Sequence, residues 1–297
     1  MGLTFPRASV LVTSLFTLVA CDDSTDGTGA GGATSSSVTT ASGSTSTVSG
    51  STTTTSGTTT SGTSTTTTTS SVGSSTGSGS MGPCAEGTLF YENDFSVDGS
   101  WPAPWDIAGG VETAQIIAGR ARLIPLHAAY PLARMKLPGS VVNSESTFSI
   151  ELENVPLQGM GFYGRQNGGY LGQTNPQGAG YAIFTAGVSN PPGIGSWFEA
   201  PGNGEVNLET TAFAQQSNTT YRLRVRIEQE TPTSTRLRAR IWQDGAAEPS
   251  TWTHDHTDDT RPELQNLAGG FAIDAWHNPG NGGFEDVFID DLVICQL

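Results

Sequence analysis

Four carboxylates near the two ends of the segment 83–297 have the chemistry of a calcium site. Glu92 and Asp94 are two residues apart, so on a strand their side chains lie on one face. Asp290 and Asp291 lie in the last hydrophobic segment, which the cysteine argument below places beside the first. Calcium takes about six to eight oxygen ligands. We therefore predict a structural calcium ion here; the alternative is that Asp290 and Asp291 cap a strand beside basic neighbours.

Aromatic side chains in and beside the glycine-rich segments could stack on sugar rings, since a flat ring offers a large apolar contact area. Trp197, which lies between two glycine-containing loops, is the first candidate for an exposed platform. Trp276 is the second, and Tyr163 and Tyr170 are further candidates. Packing in the core is the alternative for each of the four.

Two histidines raise the question of a zinc site. His254 and His256 would point the same way on a strand, and Asp258 and Asp259 could orient their rings. A solvent-exposed strand end before Pro262 explains the same residues, and we favour that interpretation.

Two segments, 221–227 and 236–242, alternate arginine with apolar residues. As a hairpin they would place six guanidinium groups on one face, and like charges opposite one another destabilise a sheet. We expect acidic side chains to interleave there; the alternative is a binding face for an anionic polysaccharide. The formal net charge of -15 and the lack of a nucleic-acid motif argue against a nucleic acid partner.

The elements that must position these residues are β-strands. The period-2 alternation is clearest in 221–227 and 236–242, and it recurs in 147–152, 180–184, 270–275 and 287–294. Clusters of Gly, Pro and Asn between them are typical of turns. Residues 83–297 are therefore predicted to form one all-β domain, an antiparallel two-sheet jelly-roll sandwich.

The three cysteines predict one disulfide. If Cys21 carries lipid, as argued below, Cys84 and Cys295 remain as a pair, one at each end of the domain. In an exported protein a disulfide is the economical interpretation, and two unpaired thiols are the alternative. Because bridged Cα atoms lie within about 7 Å of each other, the first and last strands should be neighbours.

Several segments together resemble the concanavalin A-like, or laminin G-like, jelly rolls of bacteria. They are 89–95 followed by Trp101 and Trp105, the module 221–227 with 236–245 and 248–252, and the ending 288–294. The resemblance implies two packed sheets of about six or seven strands, with both termini on one side and a sheet face that often holds carbohydrate. It also raises the expectation of calcium, which several jelly-roll families hold near this edge.

Some members of that superfamily are glycosidases, which usually need two carboxylates facing the scissile bond. The laminarinase-like enzymes carry the pattern E-x-D-x-x-E, and the nearest segment here, 92–97, lacks the final acid. Glu151 and Glu153 share a face but have no third partner. We therefore predict no enzyme but a binding module for carbohydrate. A structural lipoprotein that binds another envelope protein is the alternative, and a glycosidase or lyase is the third.

The N-terminal segment predicts export. Arg7, the uncharged stretch 8–20 and the tetrad 18–21 resemble the lipobox of bacterial lipoproteins. An apolar stretch this short fits a signal peptide, since a membrane span needs roughly 20 residues. The resemblance implies a signal peptide over 1–20 and an acylated, palmitate-bearing Cys21 anchored in a bilayer of the cell envelope, with the leaflet left open. An ordinary signal peptide is the alternative.

Residues 21–82 follow as a Ser, Thr and Gly-rich tether. They contain too few large apolar side chains to offset the entropy of ordering, so we expect them to be disordered. A coil of this length has a root-mean-square span of roughly 40 Å. We expect it to act as a spacer that carries a monomeric domain.

Overall fold

The computed structural model describes residues 83–126, 132–170, 177–187, 192–277 and 286–297. The predicted signal peptide, Cys21 and the whole tether lie outside these ranges, and they stay predictions. Within the same ranges, no helix is both long enough and apolar enough to cross a membrane.

The regular secondary structure of the described residues is almost entirely β-strand, with short 3-10 turns at Val155–Leu157 and Pro262–Leu264. In chain order the strands are β1 Thr88–Asn93, β2 Gly99–Ser100, β3 Asp106–Gly109, β4 Val111–Ile117, β5 Arg120–Pro125, β6 Leu132–Val141, β7 Ser144–Leu152, β8 Gln158–Asn167, β9 Ala179–Ala186, β10 Gly193–Ala200, β11 Gly204–Ala212, β12 Thr220–Thr231, β13 Ser234–Gln243, β14 His254–Asp258, β15 Gly269–His277 and β16 Val287–Gln296.

These strands form two antiparallel sheets that pack as a jelly-roll sandwich, which confirms the predicted fold class. The nine-stranded sheet has the order β14-β13-β12-β7-β16-β5-β4-β2, and β1 pairs with β16. The seven-stranded sheet has the order β11-β10-β9-β8-β15-β6-β3. The six strands that the alternation predicted all lie within β7, β9, β12, β13, β15 and β16.

The core lies between the sheets and is built from alternate residues of each strand. In β12 the apolar members of the alternation are buried while the arginines between them stay partly exposed. The seven-stranded sheet contributes Met135, Phe162 and Ile273 to the same core. The face of each sheet that points away from this core is called its outer face below.

The predicted arginine hairpin forms, because β12 pairs in register with β13. Acidic side chains neutralise all six guanidinium groups on the outer face of the nine-stranded sheet. Arg222 pairs with Asp244 and Asp291, Arg224 with Glu145 and Glu248, Arg226 with Glu86, Glu145 and Glu228, Arg236 with Glu230 and Asp255, Arg238 with Glu228, and Arg240 with Glu248. The interleaved interpretation is confirmed, and this face offers no unpaired arginine cluster to an anionic polysaccharide.

A disulfide joins Cys84 to Cys295, with 5.6 Å between their Cα atoms. β1 runs antiparallel to β16, and Leu89 lies opposite Cys295. Both the pairing of the cysteines and the adjacency of the first and last strands are therefore confirmed.

Candidate functional site

The outer face of the seven-stranded sheet gathers charged and aromatic side chains from strands that are far apart in sequence. On β15, Ile273 packs in the main core while Asp274 points to the opposite side. The register places Asp274 between Arg134 of β6 and Gly161 of β8, and it places Trp276 between Leu132 and Gly159. An ionic group and an aromatic ring therefore stand next to each other along one strand.

Arg134 is the centre of a buried network on this face. Its Nε and Nη2 donate to the two carboxylate oxygens of Asp274, each at 2.7 Å. Its Nη1 donates to Glu199 Oε2 at 2.7 Å and to the carbonyl of Gly169 at 3.3 Å, and Nη2 reaches Glu205 Oε1 at 3.3 Å. The side chains of Arg134, Asp274 and Glu199 are fully buried, whereas that of Glu205 keeps 24% of its surface exposed.

Three carboxyl groups share one guanidinium. The network would therefore have an excess of negative charge if all three acids were ionised. Burial raises the pKa of Asp274 and of Glu199, although Arg134 opposes the shift in both. Burial, followed by the charge of Asp274, raises the pKa of Glu205 to about 8. At neutral pH Glu205 therefore holds a proton, which relieves its repulsion of Asp274.

Tyr163 links this network to the first aromatic platform. Its ring lies beneath the guanidinium of Arg134, with Cζ 4.6 Å from the ring centroid. The indole Nε1 of Trp197 donates to Tyr163 Oη at 2.6 Å, and that hydroxyl donates to Glu205 Oε1 at 2.6 Å. The orientation of the Trp197 ring is therefore fixed by two successive hydrogen bonds that end on the carboxyl group of Glu205.

Trp197 and Trp276 form a pair of partly exposed rings, which we call the tryptophan pair. Their centroids are 5.1 Å apart and their planes are inclined by 49°. Trp197 is stacked on Phe184, with 4.7 Å between the ring centroids, so one face of the indole is covered and its position is held. The two rings form a tilted apolar surface of the kind that a sugar face can contact.

Two glycines of β8 make room for the tryptophan pair. A Cβ at Gly159 would lie 2.3 Å from Cζ2 of Trp276, and a Cβ at Gly161 would lie 2.9 Å from Cζ2 of Trp197. Because any side chain would displace the rings, glycine at these positions lets them lie close to the backbone of β8.

The four aromatic residues predicted to bind a ligand all lie on this face, but their roles differ. Trp197, Trp276 and Tyr170 are partly exposed, and Tyr170 Oη donates to the carbonyl of Leu132 at 2.6 Å. Tyr163 is fully buried. Since its ring is covered by Arg134, it cannot stack on a ligand, and it instead supports Trp197 and Glu205.

The sequence analysis missed the charged members of the site. Arg134, Glu199, Glu205 and Asp274 belong to β6, β10, β11 and β15, and no local spacing connects them. A usable signal was present at Asp274 and Glu199, each of which is the only acidic residue of a strand rich in glycine, apolar and aromatic residues. A charge in such a segment is rarely buried without a partner.

Three of the four predicted calcium ligands lie together, but an arginine shares their hollow. Glu92, Asp94 and Asp291 line one hollow, but so does Arg222, whose Nη2 lies 2.9 Å from Asp291 Oδ2. Asp290 accepts a hydrogen bond from the backbone N–H of its neighbour. No group of three or more His, Cys, Asp or Glu that could hold a metal ion occurs in the described ranges. Calcium therefore stays a prediction without support from this geometry.

His254 is buried, which corrects the expectation of an exposed strand end. Its Nε2 lies 3.0 Å from Ser196 Oγ and its Nδ1 lies 3.2 Å from Thr211 Oγ1, so the ring bridges the edges of the two sheets. His256 instead contacts Glu209, with Nδ1 2.8 Å from Oε2. The contact of Ser196 with His254 is not a nucleophile and base pair, because both residues are buried and a hydroxyl stands where an orienting carboxylate is needed.

The buried position of His254 predicts a loss of stability in acid. Burial lowers its pKa to about 4. Its contribution is therefore present above the ordinary pKa of 6.5 and is lost as the pH falls towards 4. Between pH 7 and pH 4.5 this amounts to about 2 kcal/mol of the free energy of unfolding. Urea unfolding should show that His254→Gln loses less stability over this interval than the wild type, and His256→Gln, a partly exposed control, loses as much.

No protein-family model and no curated protein sequence matches this chain. Solved structures resemble it at low identity. A Bacillus subtilis protein of unknown function with a galectin-like fold has 11% identity and a TM-score of 0.47, over 71% of this chain and 96% of that one. Lectin II from Ulex europaeus has 10% identity and a TM-score of 0.47, over 69% and 97%. An endo-acting O-glycanase of the human gut microbiota has 11% identity and a TM-score of 0.48, over 71% and 100%. The fold rests on the sheet topology above, and the function is argued from the residues alone.

Proposed function

We propose that this protein binds carbohydrate on the outer face of its seven-stranded sheet and acts as a binding module, not as an enzyme. The observation that carries the proposal is the tryptophan pair, Trp197 and Trp276, which is partly exposed and held in place by a buried polar network. The predicted lipobox and tether would display this face outside the cytoplasm.

The tryptophan pair is pre-organised, which favours affinity. Trp197 is fixed by its hydrogen bond to Tyr163 and by stacking on Phe184, and Trp276 lies on the space left by Gly159. A ligand that stacks on these rings does not have to order them first, so less of the contact energy is lost as entropy. The exposed part of the Glu205 carboxyl group adds a polar partner beside the rings.

The acids of the network are arranged for support and not for hydrolysis. Glycoside hydrolysis usually requires two carboxyl groups that face the scissile bond. Asp274 and Glu199 are fully buried, and both oxygens of Asp274 are bonded to Arg134. Of the three acids only Glu205 has an exposed side-chain surface. A single accessible carboxyl group fits recognition of a hydroxyl or amino group better than cleavage.

A glycan array probed with the wild type and three tryptophan variants tests this proposal. Trp197→Ala and Trp276→Ala should each weaken binding to the recognised glycan by about tenfold or more, because each removes a large apolar contact. Trp252→Ala is the matched control. Trp252 is also partly exposed, but it packs against Arg238 and Arg240 on the other sheet, so its removal should leave binding unchanged.

Binding to no glycan on the array would contradict the proposal. So would an equal loss in all three variants, since that would show a general effect on the fold. The same array, followed for release of shorter sugars, should show no hydrolysis.

A further inference from the structure

We propose, on the basis of the carbohydrate-binding function above, that the ligand is a cationic glycan, one with free amino sugars whose ammonium group binds at Glu205 beside Trp197. The proposal names a substrate class that a tryptophan pair alone would not select. It rests on the charge of the network, on an uncompensated buried oxygen and on the position of the exposed acid.

The network has an excess of negative charge that its only guanidinium does not remove. Asp274, Glu199 and Glu205 surround Arg134, whose Nε, Nη1 and Nη2 are all engaged by these carboxylates or by a carbonyl. No donor of Arg134 therefore remains directed at a ligand anion. The formal net charge of -15 for the whole chain acts in the same direction, since it attracts a cation and repels a polyanion.

Lys136, the only lysine of the chain, does not change this balance. It lies on the same face, two residues along β6 from Arg134, which corresponds to about 7 Å of strand. Its register partners are Asp106 of β3 and Ala272 of β15. Among the residues that the structure describes, it forms no ion pair with any acid of the network.

Glu199 points to a missing positive partner. One of its oxygens, Oε2, accepts from Arg134, but Oε1 is buried and has no hydrogen-bond partner within the described part of the chain. A buried acceptor left without a donor is costly, and more so when it is charged. A Cβ at Gly178 would lie 2.4 Å from this oxygen, so only a glycine borders it there. A cation bound at the edge of the network would offset the charge of this oxygen through space.

Glu205 and Trp197 place the two halves of a cation site side by side. The exposed carboxyl group and the indole are joined through the hydroxyl of Tyr163 by two hydrogen bonds of 2.6 Å. A cation is attracted both to the face of a tryptophan ring and to a carboxylate. An approaching ammonium also lowers the pKa of Glu205, so the bound state holds the ionised carboxylate.

The same arrangement disfavours acidic glycans. A uronate or sulfate on the tryptophan pair would meet the excess negative charge of Asp274 and Glu199, and Arg134 has no free donor to offer it. The outer face of the seven-stranded sheet should therefore discriminate among sugars by charge as well as by shape.

Calorimetric titration of the full chain with three matched tetrasaccharides tests the inference. They are a glucosamine tetramer with free amines, its fully N-acetylated counterpart and a uronate tetramer. We expect the glucosamine tetramer to bind about tenfold more tightly than the N-acetylated one, as a charge-assisted contact would give. The uronate tetramer should not bind detectably.

Glu205→Gln keeps the shape of the side chain but cannot ionise, so it should abolish the preference for free amines by lowering binding of the glucosamine tetramer to the level of the N-acetylated one. Glu263→Gln is the control, because it removes one exposed acid on the turn at Pro262–Leu264. This control should retain the full preference, which separates the local carboxylate from the net charge of the protein.

Equal binding of the two glucosamine-based tetramers, with both lost in Trp197→Ala, would overturn this inference and leave the carbohydrate-binding proposal standing. Tighter binding of the uronate would also overturn it. If none of the three tetramers binds, the inference fails, and the glycan array decides the proposed function separately.

Discussion

Arg134→Met should lower the free energy of unfolding by about 3 to 5 kcal/mol, the usual result of removing one partner from a buried ion pair. The guanidinium of Arg134 is the shared partner of Asp274, Glu199 and Glu205, and its side chain is fully buried. Without it, the buried carboxylates face one another uncompensated. Urea unfolding followed by circular dichroism at pH 7.5 measures this loss.

Lys136→Met is the matched control for this variant. It removes a cation from the same strand and the same face, and we expect it to cost less than about 1 kcal/mol. The penalty of Arg134→Met should shrink at pH 5, because the acids of the network can then take up protons and lose their mutual repulsion. Equal losses in the two variants would contradict the central place of Arg134.

Loss of the disulfide should have the other large effect. Cys84 and Cys295 are 211 residues apart, so their link closes nearly the whole domain into one covalent loop. The chain-entropy model gives up to about 5 kcal/mol for a loop of this length. We expect a reducing agent to lower the melting temperature of the wild type. Cys84→Ser should have this lower melting temperature even without reducing agent.

The double variant Cys84→Ser with Cys295→Ser separates the disulfide from side effects of the reductant. Its melting temperature should be the same with and without reducing agent. A wild-type transition that ignores the reductant, under conditions where free-thiol titration shows the bond to be broken, would contradict the stabilising role of the link.

The strands were predictable because their signal is local. In 221–227 the side chains alternate between core and solvent, and the period of two identifies a strand whatever its neighbours are. The pairing of β1 with β16 was also predictable, since Cys84 and Cys295 constrain the two chain segments directly.

The site depends on strand register, which the alternation of apolar and polar residues along a single strand does not specify. Arg134 faces Asp274 only because β6 and β15 pair in one particular register, and a shift of one residue would separate them. The calcium prediction shows the same limit. It placed the first and last strands side by side as the structure does, and the alternative to it expected basic neighbours, but only the strand pairing shows that Arg222 of β12 is the partner of Asp291.

The ligand-binding roles predicted for the four aromatic residues stay predictions, and the structure adds where each side chain lies. Tyr163, Trp197 and Trp276 lie on β8, β10 and β15 of the seven-stranded sheet, and Tyr170 follows β8 and bonds to Leu132 of β6. The burial of each aromatic side chain could not be predicted. Tyr163 is covered by Arg134, which lies 29 positions earlier in the sequence and on a different strand.

The central claim is that a glycan lies on the tryptophan pair, and indole N–H resonances test it most directly. The chain has six tryptophans, and each indole N–H gives one signal in a nitrogen-15 correlation spectrum. Titration with a glycan that the array identifies should shift the signals of Trp197 and Trp276 in a saturable way. The signals of Trp101, Trp105, Trp242 and Trp252 should stay in place. Shifts confined to Trp252, or saturable binding with no shift at Trp197 and Trp276, would contradict the account.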